Sequence, residues 1–424
     1  MRERAPKRWP SLEEGLLLVV CAVVAVVRVG GAWGTTPSRI FDSAEYLGGG
    51  APRTKPPLGA WIMSAFPSDA GRSVGFAVAG AVATALLLIA IFSTDSPRGV
   101  RWPSIGLIAV WSCSGFGRLW DAVVLPESIG ISVGIAAVAA VASGLTRRSP
   151  TLLAVAGVLG AAMPAIREPL ALPAVAIVAL SCWGLVRLLP LRRIGAMLGA
   201  GALVGGLGLS LYSISDLGSR RYDVGYVDTT AEGFRTANVI WRRFALVDPA
   251  WLAEESISVP DDYERPLVVP TYFEDPANVT SAERGGTSLV ARFLVSHPAY
   301  ALKAPFLDEE GIAFGPSLLD TYDPNHNVSR SFLDGLLEFP GRALGLGLAA
   351  ITLVLAAWRP WAGPGERVAL AGLGGTAMVA TMLAWHLDGV EALRHIMPAL
   401  SVWIAAVPFA LASWCESIRP KVKN

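Results

Sequence analysis

FDSAEYLGGGAPRTKPPLGAW, residues 41–61, is the stretch from which the rest of the chain is read. It holds Asp42, Glu45, Arg53 and Lys55, with a glycine triplet and a proline pair between and after them. Glycine loosens the backbone and proline removes an N–H donor, so these residues cannot form one continuous helix. Apolar runs flank the stretch at 16–29 and 73–93. A charged, proline-broken segment between two such runs reads as a loop, residues 31–72, joining two membrane spans.

Composition extends this reading to the whole chain. Of 424 residues, 53% are hydrophobic and 16% charged, well below the charged fraction of about a quarter in soluble domains. Apolar runs recur at 12–30, 73–93, 103–117, 122–143, 151–166, 169–186, 194–214, 341–358, 368–386 and 395–415. The predicted fold class is therefore an all-α polytopic membrane protein with about 10 transmembrane helices. The count becomes 9–12 according to how the short or proline-interrupted third, fifth and sixth runs are divided. Three regions follow: an N-terminal transmembrane module, 1–214; a polar extracytoplasmic segment of mixed structure, 215–338, between the seventh and eighth spans; and closing transmembrane helices, 339–424. Within the polar segment, residues 288–306 have the periodicity of an amphipathic surface helix. Glycines four apart, at Gly130/Gly134, Gly195/Gly199, Gly201/Gly205 and Gly341/Gly345, suit close helix packing.

Lysine and arginine placement sets the orientation. With both termini cytoplasmic, the connections holding Arg98 and Arg101, Arg147 and Arg148, Arg187, Arg192 and Arg193, and Arg359 and Arg367 are short, basic and internal. The loop 31–72, the turn with Arg118 and Asp121, the pair Arg167–Glu168, the segment 215–338 and residues 386–395 then share the extracytoplasmic side. The basic-flanked first run reads as a retained span, because no small-residue cleavage pattern follows it. The chain is thus expected in the cell membrane with its reactive face outside. A net charge of +1 gives no basic field for nucleic acid. The four cysteines are scattered through apolar runs and form no CxxC pair.

Several residues have chemistry to offer. Asp42 and Glu45 stand three apart, on one face if the segment is helical. A partly buried carboxylate there suits a general base. Lys55 precedes a rigid Pro-Pro entry into an apolar stretch, where an ammonium meets a phosphate or snorkels to headgroups. Arg167 and Glu168, like Arg118 and Asp121, read either as site residues or as headgroup anchors. Residues 386–395 contain His386, Asp388, Glu391, Arg394 and His395 without HxxxH or HxH spacing. Binding of a lipid phosphate by Arg394 or His395 is favoured over a metal site, and the alternative is a plain interfacial turn. No metal ligand and no cofactor is assigned, with a divalent metal left open. Walker, GxSxG, dinucleotide-binding GxGxxG and DXD motifs are absent.

The order of these features resembles one family. An Asp in the setting F-D-x-A-x-Y, then a glycine turn, then K-P-P-L-G-x-W is similar to the first outer loop of GT-C membrane glycosyltransferases. The branch with protein O-mannosyltransferases and the aminoarabinose transferases of lipid A is the nearest in pattern. Asp42 matches that branch's Asp, and Lys55, Pro56, Pro57 and Leu58 match its second motif. Ser43 stands where an acidic neighbour is usual, and Glu45 is displaced from that register. The sequences Leu125-Pro126-Glu127-Ser128 and residues 164–169 around Arg167 resemble weaker family features. The resemblance covers about the first 190 residues; beyond them only the layout is similar. It implies inverting transfer of a sugar from a polyprenyl-phosphate donor to a hydroxyl of a lipid, glycan or protein acceptor. Asp42 would be the base, and Lys55, Arg167, Arg394 and His395 would stabilise the leaving phosphate. The rival readings are a transporter or lipid-linked sugar flippase and a non-catalytic membrane scaffold.

Overall fold

The computed structural model describes residues 11–39, 56–94, 96–189, 193–219, 221–223, 228–259, 276–307, 328, 347, 365–388 and 392–418. Asp42, Glu45 and Lys55 lie outside the described residues, as does all but one residue of the expected eighth span.

The described chain is almost wholly helical. Ser11 opens α1 (Leu12–Ala32) with a reciprocal capping box: its hydroxyl accepts from the Glu14 amide, and the Glu14 carboxylate accepts from its own N–H. Helix α2 (Pro57–Ser64) starts on a proline, whose fixed φ suits a first helical position. Then come α3 (Asp69–Phe92), capped by Ser68, and α4 (Arg98–Cys113). A short turn of helix, Gly115–Leu119, leads to a 3-10 turn at Trp120–Ala122 and then to α5 (Glu127–Thr146). Helix α6 (Pro150–Ile166) is followed by a 3-10 turn, Glu168–Leu170, and by α7 (Ala171–Leu188) and α8 (Arg193–Ser219).

Beyond the bundle, an antiparallel ribbon pairs β1 (Arg221–Asp223) with β2 (Asp228–Thr230). It leads into α9 (Ala231–Val239) and, after a π-helical turn at Ile240–Phe244, α10 (Pro249–Glu254). The expected amphipathic stretch is two helices, α11 (Pro276–Ser296) and α12 (Pro298–Leu307). Proline starts the second and separates it from the first. The chain closes with α13 (Gly365–His386) and α14 (Ala392–Ile418).

Among the described residues, six helical stretches are long and apolar enough to cross a membrane: Leu12–Ala32, Asp69–Phe92, Glu127–Thr146, Glu168–Leu188, Gly195–Leu217 and Arg394–Ala412. Pro150–Ile166 is a shorter apolar helix. Arg394–Ala412 is 89% enclosed and forms the centre of the bundle, whereas Gly195–Leu217 is 12% buried and peripheral. Leu16, Leu18, Val19, Val23 and Val26 of α1 are exposed, as suits a helix whose outer face meets hydrocarbon.

The glycine pairs divide by environment. A methyl group added at Gly134 would stand 2.7 Å from Val402 Cγ2, and one at Gly130 would touch Pro398 and Arg167. Those two glycines bring α5 against α14, as the four-residue spacing predicts. Gly195, Gly199, Gly201 and Gly205 meet nothing within 4 Å among the described residues. Among the described residues, then, their spacing marks no packing face, and Gly341 and Gly345 lie outside the described residues.

Gly134→Ala should lower stability by about 1–3 kcal/mol through overpacking, read as a fall in melting temperature of the detergent-purified chain. Gly199→Ala should be neutral or slightly stabilising, because alanine favours helix and nothing is in its way.

Candidate functional site

Among the described residues, buried charge gathers at one end of the bundle. Among the described residues the buried ionisable side chains are Arg28, Arg72, Asp121, Glu127, Arg167, Arg243, His386, Asp388 and Arg394. All belong to the end where α1, α4, α6 and α13 finish and where α3, α5 and α14 begin.

The first cluster is centred on Asp121. Its carboxylate takes three contacts from Arg28: Nε to Oδ2 at 3.0 Å, and Nη2 to Oδ1 and Oδ2 at 2.8 and 2.7 Å. The Ser128 hydroxyl donates to Oδ1 at 2.7 Å, and Ser73 Oγ donates to the Asp121 carbonyl at 2.7 Å. Arg28 also reaches Ser112 Oγ at 3.3 Å. Its guanidinium lies over Gly80 of α3, where an added Cβ would be only 2.2 Å from Nη2. These contacts join α1, α3, α4, the 120–122 turn and α5. Asp121 is thus a buried clamp and not the headgroup anchor that sequence reasoning allowed.

The second cluster is centred on Glu127, the first residue of α5 and fully buried. Arg167 Nη2 donates to Glu127 Oε1 at 2.7 Å, and Arg394 Nε stands 3.2 Å from the same oxygen. The backbone explains the arrangement. Pro169 has no N–H to give the Ala165 carbonyl and its ring crowds that oxygen, so α6 stops, with Arg167 extended at φ −150° and ψ 132°. The arginine then leaves the helix end sideways. Arg394 sits in the first turn of α14, where the helix dipole repels a cation. Glu127 offsets that repulsion, and its own place at the start of α5 is electrostatically favourable. His395 extends the cluster: its Nε2 lies 2.8 Å from Arg394 Nη2, and its Nδ1 pairs with Asp388.

The two ends of the segment that contains Asp42 and Lys55 both dock beside Glu127. At one end the Ser38 amide donates to the Ala122 carbonyl at 2.8 Å, and the Val124 amide donates to the Ser38 carbonyl at 3.0 Å. At the other end, a methyl at Gly59 would lie 2.8 Å from the Ile166 carbonyl and 3.3 Å from Pro126 Cβ. Only a glycine lets α2 approach Pro126 and Ile166, the residues immediately before Glu127 and Arg167.

Of the six residues singled out from sequence, the structure brings together Arg167, Arg394 and His395. Asp42, Glu45 and Lys55 lie outside the described residues. Sequence reasoning missed Glu127 as the centre of the cluster, and Asp388 as the partner of His395. The available signal for Glu127 was an acid at a helix start directly after proline. Among the described residues no group of three His, Cys, Asp or Glu could hold a metal ion.

On the open side of this end lies a cleft of about 340 Å³ between the bundle and the polar segment. Glu168 and Arg235 line it 4.0 Å apart. Glu232 lines it too, and its Oε1 accepts from the Thr287 amide at 2.8 Å and from the Thr287 hydroxyl at 2.6 Å. These bonds hold the Glu232 carboxyl below its ordinary range. They also cap the chain where α11 bends at Gly286, whose φ of 47° and whose closeness to Glu232 both require glycine. No family model, curated protein or solved structure matches this chain.

Two outcomes follow. Arg28→Met alone should cost about 3–5 kcal/mol by leaving Asp121 buried and unpaired; the double variant Arg28→Met/Asp121→Leu should recover most of that in thermal unfolding. Glu232 has a depressed folded-state pKa, so its contribution is present above the unfolded-state value and lost as pH falls through the lower folded value. Acidification through the carboxylate range should therefore loosen the α11 bend, measured as faster proteolysis there, and Glu232→Gln should remove that part of the pH dependence.

Proposed function

We propose that this chain is a GT-C-type membrane glycosyltransferase with about ten spans, working on the extracytoplasmic side. It transfers a sugar from a polyprenyl-phosphate donor to an acceptor hydroxyl with inversion. Asp42 takes the hydroxyl proton as the acceptor oxygen attacks the anomeric carbon. The bond from that carbon to the phosphate oxygen breaks, and the phosphate leaves with the electron pair. Lys55, Arg167, Arg394 and His395 stabilise the charge that develops on it, which is where preorganised cations contribute most to rate.

One observation carries this reading. The glycine of the Lys-Pro-Pro-Leu-Gly motif packs on Pro126 and Ile166, beside the Glu127–Arg167–Arg394 cluster. Gly59 and the arginines, far apart in sequence, therefore share one locality, and Lys55 precedes Gly59 by four positions. Asp42 follows the bridged Ser38 by four residues, a reach of roughly 14 Å at most. Glu127 fixes two guanidinium groups in place before any ligand arrives, which lowers the reorganisation needed during transfer. Arginine also suits phosphate, because its planar fork matches two oxygens.

A transporter or flippase would set ionisable groups near the bilayer midplane. The buried charges here gather at one end of the helices instead, which favours the enzyme. A scaffold would be indifferent to loss of a single carboxylate at Asp42.

Asp42→Asn should abolish transfer of labelled sugar from a polyprenyl-phosphate donor, with expression and melting temperature unchanged. Full transfer by that variant would rule out Asp42 as the base. Arg167→Lys should lower kcat by one to two orders of magnitude, about 1.4–2.7 kcal/mol in the barrier.

A further inference from the structure

The cleft beside the arginine cluster differs in chemistry from the cluster itself. Glu232, Arg235, Thr236 and Val239 occupy positions i, i+3, i+4 and i+7 of α9, a single helical face. That face lines the cleft opposite Glu168, with Ser215 from the end of α8 and Thr287 from α11. Val239, Val290 and Leu387 supply an apolar strip. Its volume, about 340 Å³, falls at the small end of ligand sites, which run from about 300 to 1,000 Å³.

The polar groups define what such a cleft accepts. Glu168 and Arg235, at 4.0 Å, are too far apart for a direct hydrogen bond. They present an acceptor and a donor side by side. Thr236 and Ser215 add hydroxyls that both donate and accept, and the Thr287 hydroxyl, whose proton goes to Glu232, adds an acceptor. Two carboxylates against one guanidinium make the cleft unfavourable for a phosphate. A neutral ring bearing several hydroxyls fits better. Its hydroxyls donate to the carboxylates and accept from the guanidinium, and its C–H face lies on the valines.

We infer that this cleft is a saccharide subsite and that it holds the acceptor, whose reactive hydroxyl belongs to a glycan. The role as acceptor site rests on the transferase reading given above. Glu168 makes the connection: its side chain lines the cleft, while the preceding Arg167 turns to Glu127. A sugar in the cleft and a phosphate on the arginines would lie on two sides of one backbone turn. The division also separates charge. The anionic donor goes to the arginines, and the neutral acceptor goes to the carboxylate-lined side.

The test uses the full chain purified in detergent and reducing-end-labelled trisaccharides of glucose, mannose, galactose and arabinose as probes. At least one should bind. Arg235→Leu and Glu168→Gln should each weaken that binding at least tenfold. Arg235 is substantially exposed, so its replacement should leave the melting temperature intact. Thr236→Ser, which keeps the hydroxyl, should retain binding. The inference is overturned if none of the four probes binds, if both cleft variants bind as the unaltered chain does, or if polyprenyl phosphate displaces the bound probe competitively. Saccharide binding that depends on the cleft, without any transfer from the donor, would support the subsite and count against the transferase. Transfer that ignores both cleft substitutions would do the reverse.

Discussion

Glu127 shares one carboxylate oxygen between Arg167 and Arg394, and the architecture of this end of the molecule depends on that shared contact. The three residues come from the start of α5, the turn after α6 and the start of α14, so one buried anion ties three elements together. Burying charge is costly unless partners are close and well oriented. The adjacent Ser128 donates to Asp121, which in turn holds Arg28 of α1. The first turn of α5 therefore serves two clamps at once. One gathers the first helices of the chain, and the other gathers the last.

Stability and chemistry are separated along the bundle. The rest of the described interior is mostly apolar and holds hydroxyls such as Thr84 and Ser181 but no buried charge, with small residues where helices approach, as at Gly134 against Val402. At the charged end, backbone that has left helical geometry positions the side chains. Arg167 points to Glu127 because Pro169 disrupts the helix after it, and α2 fits against Ile166 because Gly59 has no side chain. In the transferase proposed above, such a preorganised cluster of cations and carboxylates would stabilise a leaving phosphate.

Periodicity and hydropathy made the helical character legible, since a run of about twenty apolar residues has few alternatives. The Lys-Pro-Pro motif and the arginines could each be picked out as unusual. Their pairings could not be read. Arg28 and Asp121 are 93 positions apart, and no local pattern announces a partner at that distance. Glu127 resembled an ordinary first-turn acid, which the helix dipole alone would explain. The glycine spacings looked alike in sequence, yet Gly130 and Gly134 face a neighbouring helix whereas Gly195 and Gly199 meet no described residue within 4 Å. What separates them is which face of the helix turns inward, a property of the assembled bundle. The bend at Gly286 was hidden for a similar reason, because its cause is Glu232, far upstream.

The central claim is that this charged end receives a polyprenyl phosphate. The most direct measurement is photo-crosslinking of the full chain, in detergent, with a polyprenyl-phosphate analogue whose reactive group sits next to the phosphate. Adducts mapped by mass spectrometry should fall on residues 56–64, 124–128, 164–170 and 392–398, and Arg167→Leu/Arg394→Leu should remove most of them. Adducts spread along the exposed faces of α1 and α8, unaffected by those substitutions, would contradict the account.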